Sequence, residues 1–437
     1  MTLAATFLGG AKGRLLPASI PFRFFVSAAV FQVLAWLTLL LAGEAAIGFR
    51  GGPGPALAAV HLLTLGVLTS TAIGASVQLL PVATRRTLAA VWPIKLVFWL
   101  TVPGTAALVA AMYTGNPTAI AAAAAATVVG LVLFSGLLAH NLWRAGDLAV
   151  VAAYGWASLV ALLVVAGLGV AVAVNYGTGV LPDHPSLALA HMIVGGFGFM
   201  GLLAMGFSHV LMPMFALAAA PPHRPSFVAF TLAVVGVTLA GGGAVAGSSP
   251  AITFAALIGL CATALHLRLM TNVLRSGMRK RLGLSFVLIR AAWALLPATL
   301  IVGLAALHGL AGSNGQTLFG FLLIAGWLLT FLLGVLQRIL PFLASMHAGP
   351  SASGAPALMS ELAALGPLKL HAACHGIAIA ALVIAIAADM VWLARMGSAV
   401  GLVGALAFAW FTGEITWRVV AASRVRHSAA PPADLRG

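Results

Sequence analysis

The chain is poor in charge. Of 437 residues only 22 are Lys or Arg and 7 are Asp or Glu, too few to coat a water-soluble domain of this size. Seven acids, three Tyr and no suitably placed Lys also leave little from which to build a proton-pumping path through buried groups. The two cysteines, Cys261 and Cys374, fall on separate apolar segments, which excludes a disulfide framework and a CxxC metal site. Neither a GxxxxGK[ST] phosphate loop nor a strand-borne GxGxxG occurs in a usable setting, so energy from ATP is not expected to enter through this chain. Residues 1–23 are too broken by Gly, Lys, Arg and Pro for a cleaved signal peptide, and insertion is expected to rely on the first span itself.

Apolar residues are abundant, at 62% of the chain. A helix needs about 20 of them in succession to cross the hydrocarbon layer. Twelve such runs are present, numbered here α1 to α12: roughly 24–48, 56–81, 88–113, 117–141, 148–174, 185–215, 226–247, 250–273, 283–309, 315–346, 366–388 and 396–420. The expected fold class is an all-α membrane protein, because a span must satisfy its own backbone and ten-residue alternating strands are absent.

The net charge of +15 invites a nucleic-acid reading, but its distribution is topological. With a cytoplasmic amino terminus, twenty Lys and Arg fall on the cytoplasmic side and only Arg50 and Arg395 on the other, the pattern of the positive-inside rule with both termini inside. The stretch Arg275-Ser-Gly-Met-Arg-Lys-Arg281 then grips anionic headgroups, and membrane lipid, not nucleic acid, is the expected partner. Only residues 347–365, with Gly349-Pro-Ser-Ala-Ser-Gly-Ala-Pro356, make a cytoplasmic linker of any length. The Ala-, Gly- and Leu-rich composition places the expected location in a bacterial cytoplasmic (inner) membrane.

Three copies of one pattern close α2, α6 and α10: Gly74-Ala-Ser-Val-Gln-Leu-Leu-Pro81, Gly206-Phe-Ser-His-Val-Leu-Met-Pro213 and Gly334-Val-Leu-Gln-Arg-Ile-Leu-Pro341, offset by 132 and 128 residues. A repeat at this spacing implies units of four helices, roughly 24–141, 148–273 and 283–420, within one membrane domain. Each proline removes a backbone donor and bends its helix. The carbonyls released near Val77, His209 and Gln337 are expected to be met by the Gln78, Ser208 and Gln337 side chains. With the openings His61-Leu-Leu-Thr-Leu-Gly66 and His191-Met-Ile-Val-Gly195, the chain resembles subunit I of the haem-copper oxidase superfamily. That resemblance implies twelve helices in three four-helix arcs about a pseudo-threefold axis. Carried over by position, it also implies a haem ligand at His61 and a copper ligand at His191. The rest of that site has no counterpart: 226–247 holds no His-His pair and 315–330 no His, so an oxygen-reducing centre of that kind is not expected.

Buried metal-capable side chains are costly and mark candidate sites. Of twelve histidines, those at 140, 184, 223, 308, 347 and 427 fall at helix ends or loops, and His266 near the cytoplasmic end of α8 is little different. His61, His191, His209, His371 and His375 remain. His191 and His209 stand 18 residues apart, five regular turns, which puts both on one face of α6 about 27 Å apart. His371 and His375 share a face of α11. Two layers follow, His61 with His191 outside and His209 with His371 or His375 inside, each an axial pair for b-type haem. Packing histidines bonded to neighbouring helices are the alternative. So is a copper path on α6, where Met205, His209 and Met212 share a face and offer a soft ligand set, although Met also fills cores.

Arg338 is expected either to snorkel or to meet a haem propionate, Arg290 to snorkel, and Glu414 to pair with Arg418 one turn on. The expectation is a haem-binding redox protein that works with other redox membrane subunits or a cytochrome. The alternatives are a transporter or copper-handling protein and a cofactor-free assembly subunit.

Overall fold

The computed structural model describes residues 15–83, 90–145, 148–347 and 364–429; all but the ends of the 347–365 linker lie outside them. The described residues hold twelve helices long and apolar enough to cross a membrane, and no strand. The spans are α1 Ser19–Ala42, α2 Pro55–Val82, α3 Trp92–Thr114, α4 Pro117–Trp143, α5 Ala149–Thr178, α6 His184–Ala216, α7 His223–Val245, α8 Ser249–Ser276, α9 Leu284–Leu307, α10 Gly315–His347, α11 Leu365–Ala387 and α12 Val391–Ala421. The chain is an integral membrane protein. Exposed Trp92 and Trp143, at adjoining ends of α3 and α4, are side chains suited to a membrane–water boundary.

Local chemistry sets the starts of α2, α4, α6 and α8. Asn116, Asp183 and Ser248 accept from the backbone N–H three residues on, and Pro117, Pro185 and Pro250 occupy the first turn, where a missing donor costs nothing. Pro55 opens α2 after Gly54 in the same way. The Ser186 contact holds the exposed Asp183 carboxyl below the usual carboxylate range. This cap therefore survives mild acid and is lost only as the pH falls through that lowered value. The first span ends six residues earlier than the hydropathy implies because Gly43, at φ +53°, breaks it before a separate turn, Glu44–Ile47.

Consecutive spans pack side by side, and α12 returns to pack on α1. Burial separates the helices into two kinds: 72% of the apolar window of α2, 67% of α10 and 50% of α6 is buried, against 22–44% for the other nine. These three are also the helices with Gly-Pro ends. Each additionally contains an eight-residue π-helical segment, Leu62–Thr69, Val194–Gly201 and Leu322–Leu329. The segments repeat at the 132- and 128-residue offsets of the Gly-Pro pattern, and each has glycine fifth: Gly66, Gly198 and Gly326. The π segments of α2 and α6 both pack on that of α10.

A π turn bonds residue i to i+5, and such turns are concentrated at functional sites. Side chains follow the wider register here: the Thr69, Ser70 and Thr330 hydroxyls donate to carbonyls five residues back. In α6 the help comes from outside, with Ser158 of α5 donating to the Phe199 carbonyl at 2.9 Å. Ser158→Ala is expected to lower the unfolding free energy in detergent by about 1 kcal/mol, through loss of a buried hydrogen bond between α5 and α6. An unchanged thermal midpoint would show that the π segment does not depend on it.

The glycines of the Gly-Pro pattern have a common task. A Cβ on Gly74, Gly206 or Gly334 would meet Phe24 at 3.0 Å, Tyr154 at 2.6 Å, or Ile289 and the Ser285 carbonyl at 2.9 Å. Each glycine thus lets the helix that opens its own unit, α1, α5 or α9, approach closely. The expected relief of the proline-released carbonyls is not what occurs. Both polar atoms of the Gln78 amide lack a partner among the described residues, Ser208 donates to Ala204 O, and Gln337 turns to His371. Glu414 and Arg418 do form the i, i+4 pair. With both side chains partly exposed, Glu414→Gln should change stability by less than about 1 kcal/mol.

Candidate functional site

His61 ends the α-helical opening of α2, one residue before its π segment, and His191 lies three residues before that of α6. Their ring centroids are 6.3 Å apart and their planes 25° from parallel. His61 Nδ1 lies 3.1 Å from Leu57 O and His191 Nδ1 lies 3.0 Å from Val165 O. A carbonyl only accepts, so both Nδ1 atoms carry the hydrogen and both Nε2 atoms keep a lone pair. This is how ligating histidines are oriented in metal sites. Gly169 makes room for the second ring, since a Cβ there would stand 3.0 Å from His191 Cε1.

Both rings line a cavity of about 810 Å³ bounded largely by apolar side chains, among them Leu65, Met192, Phe197, Phe319 and Trp327. Its wall includes parts of all three π segments. Its polar lining includes Arg50, which also donates to Ser313 O, and Tyr176. Two imidazoles that share one metal, with metal–nitrogen bonds of about 2 Å, hold their centroids roughly 6 Å apart. The spacing, the two available lone pairs, the apolar volume and an arginine in the lining are compatible with a haem held by two histidines.

The other expected site residues separate in unexpected ways. His209 also packs towards α5, but its ring neighbours are Tyr154 at 5.5 Å and His266 at 5.6 Å, rather than His371 or His375. His266 is 2% exposed and belongs to the interior, not to the headgroup layer. Met205 and Met212 are buried, with Met205 in the apolar cluster that holds Tyr154 and Met212 in the main core.

His371 and His375 stack at 5.7 Å on α11 and are bonded to α10. The Thr330 hydroxyl spends its one hydrogen on Ala325 O, so at 2.8 Å it accepts from His375 Nε2. The Gln337 amide nitrogen donates to His371 Nδ1 at 3.3 Å, which puts the hydrogen of that ring on Nε2. Neither Nε2 then offers a lone pair, and the two rings act as cross-links between helices. Arg338 likewise turns from any propionate. It donates to Ser285 Oγ and Leu282 O and lies over the Phe286 ring, tying α10 to the start of α9.

Two features of this region escaped the sequence reading. The π glycines Gly66, Gly198 and Gly326 stand eight residues before each Gly-Pro glycine, so the full pattern is G-x7-G-x6-P in three copies. His266 belongs to a buried stripe of α8, Ala255, Ala262, Thr263, His266, Leu269, Met270 and Val273, whose helical spacing marks it as inward-facing. No protein-family model matches the chain, and no curated protein matches it.

Proposed function

We propose that this chain is a b-type haem-binding redox protein of the membrane, built like subunit I of the haem-copper oxidases but without an oxygen-reducing centre. The observation that carries the reading is the pair His61 and His191, 6.3 Å apart, with both Nε2 lone pairs available beside an apolar cavity. His61 and His191 would hold the haem iron, and Arg50 and Tyr176 would offer hydrogen-bond donors to the haem carboxylates. A haem held by these two histidines would supply one-electron transfer.

The rest of the architecture follows the same reading: three four-helix arcs about a pseudo-threefold axis, with α2, α6 and α10 innermost. Their greater burial and their matched π segments and glycines support it. Both termini lie in the cytoplasm of a bacterial cell, which puts the haem in the outer half of the inner membrane. Electrons would then pass between a partner redox subunit or cytochrome and this site.

Absorption spectra of the purified protein, before and after dithionite, test the proposal. A Soret band with a sharp reduced α band is expected, and protein purified with neither overturns it. Gly169→Val should weaken the axial ligation by pushing on the His191 ring, seen as loss of intensity in the reduced α band.

A further inference from the structure

Three helices of the second unit bring together a separate buried group, Tyr154 of α5, His209 of α6 and His266 of α8. Their exposures are 0%, 5% and 2%. The His209 ring contacts both others, at 5.5 and 5.6 Å between centroids, and its plane is tilted 52° to that of His266. Each side chain ends in a buried polar atom without a partner among the described residues: Tyr154 Oη, His209 Nε2 and His266 Nδ1. A single atom of this kind is uncommon in a native interior and calls for an explanation. Three from one contact group share an explanation if a single bound species sits among them.

We propose that His209 Nε2 and His266 Nδ1 bind a soft monovalent metal ion, of the Cu(I) class, with Tyr154 Oη lining the site. The ring of His209 is already set for this, because its Nδ1–H donates to Met205 O at 2.9 Å and leaves Nε2 as the lone-pair atom. The 5.6 Å between ring centroids suits two imidazoles bent around one ion with metal–nitrogen bonds of about 2 Å. The two nitrogens make no direct hydrogen bond, so the pairing does not satisfy itself.

Charge selects the ion. The acids among the described residues are Glu44, Asp183, Asp389 and Glu414, and none lies on α5, α6 or α8. A divalent ion held by neutral ligands would leave two uncompensated charges in apolar surroundings, a monovalent ion only one. Imidazole with a nearby thioether is also a ligand set that favours Cu(I), and Met205 shares the apolar cluster of Tyr154.

The site is independent of the haem, and its test is too. Full-length protein in detergent is titrated with Cu(I) under anaerobic, reducing conditions against the chromophoric chelator bicinchoninate. One Cu(I) per chain is expected to be withheld from the chelator. His209→Gln and His266→Gln should each weaken it by on the order of 100-fold or more, beyond what loss of a supporting contact costs. His61→Ala should leave copper binding unchanged while removing haem, so failure of either proposal is distinguishable. Full retention of copper by the His209→Gln, His266→Gln double variant would overturn the assignment, as would Zn(II) bound in place of Cu(I), or no copper withheld by the wild type. Should the variants not give a monodisperse protein, copper-edge X-ray absorption of the wild type decides. Scattering from two imidazoles supports the site, and its absence refutes it.

Discussion

His61→Ala and His191→Ala are each expected to remove the same haem spectrum, lowering the haem-to-protein ratio at least about tenfold. Both rings are held in place by backbone carbonyls. Each Nδ1–H is spent on a carbonyl, Leu57 O within the same helix and Val165 O across to α5, so neither ring can turn without giving up a buried bond. That fixes two Nε2 lone pairs in the lining of one cavity, and ligation by two histidines fails when either goes. His371→Ala is expected to leave the spectrum intact, because its lone-pair nitrogen already accepts from Gln337. The decisive comparison is between the first two variants. If one loses the spectrum and the other retains it in a folded protein, the two histidines do not share an iron.

Gly206→Ala and Gly136→Ala, the same chemical change in two helices, should move stability in opposite directions. Alanine is the better helix former by about 0.5–1 kcal/mol, and around Gly136 of α4 a Cβ meets nothing within 4 Å, so that variant should gain this amount. At Gly206 the new Cβ would stand 2.6 Å from Tyr154 Cβ, which is anchored to its own backbone and has no rotamer that moves it away. Helices α5 and α6 must then part, and over-packing of this kind costs about 1–3 kcal/mol. Gly334→Ala should behave similarly because it meets a backbone oxygen at 2.9 Å, while Gly74→Ala, at 3.0 Å from Phe24, should be milder. Thermal unfolding midpoints in one detergent give the comparison. A Gly206→Ala protein as stable as the Gly136→Ala protein would remove the packing account of the repeated glycines.

The spans were legible because the bilayer imposes a length and an apolarity that any window reveals, and observed ends differ from the expected ones mostly by a few residues. The larger difference, at α1, comes from Gly43, whose positive φ breaks a run that is apolar throughout. The π segments were not legible from hydropathy, since Leu62–Thr69 and its two counterparts are as apolar as regular helix. Their trace was positional, a glycine recurring at the same offsets as the Gly-Pro pattern. Among the site residues, the approach of His61 to His191 followed from both standing in the opening turns of the two spans that carry the first two copies of the pattern. The partner of His209 did not, because α8 was read by distance from the membrane surface when its buried stripe decides which way His266 points.

By itself, then, the sequence determined that this is a twelve-span, all-helical membrane protein with a pattern repeated three times and few side chains capable of chemistry. Those properties depend on composition and on spacing along one chain. Which nitrogen of each histidine is free, that Arg338 tethers α9, and that Tyr154, His209 and His266 meet were decided only by tertiary structure. The reason is that a ring's tautomer and neighbours are set by carbonyls and hydroxyls on other helices, and their placement depends on how closely glycine lets those helices approach.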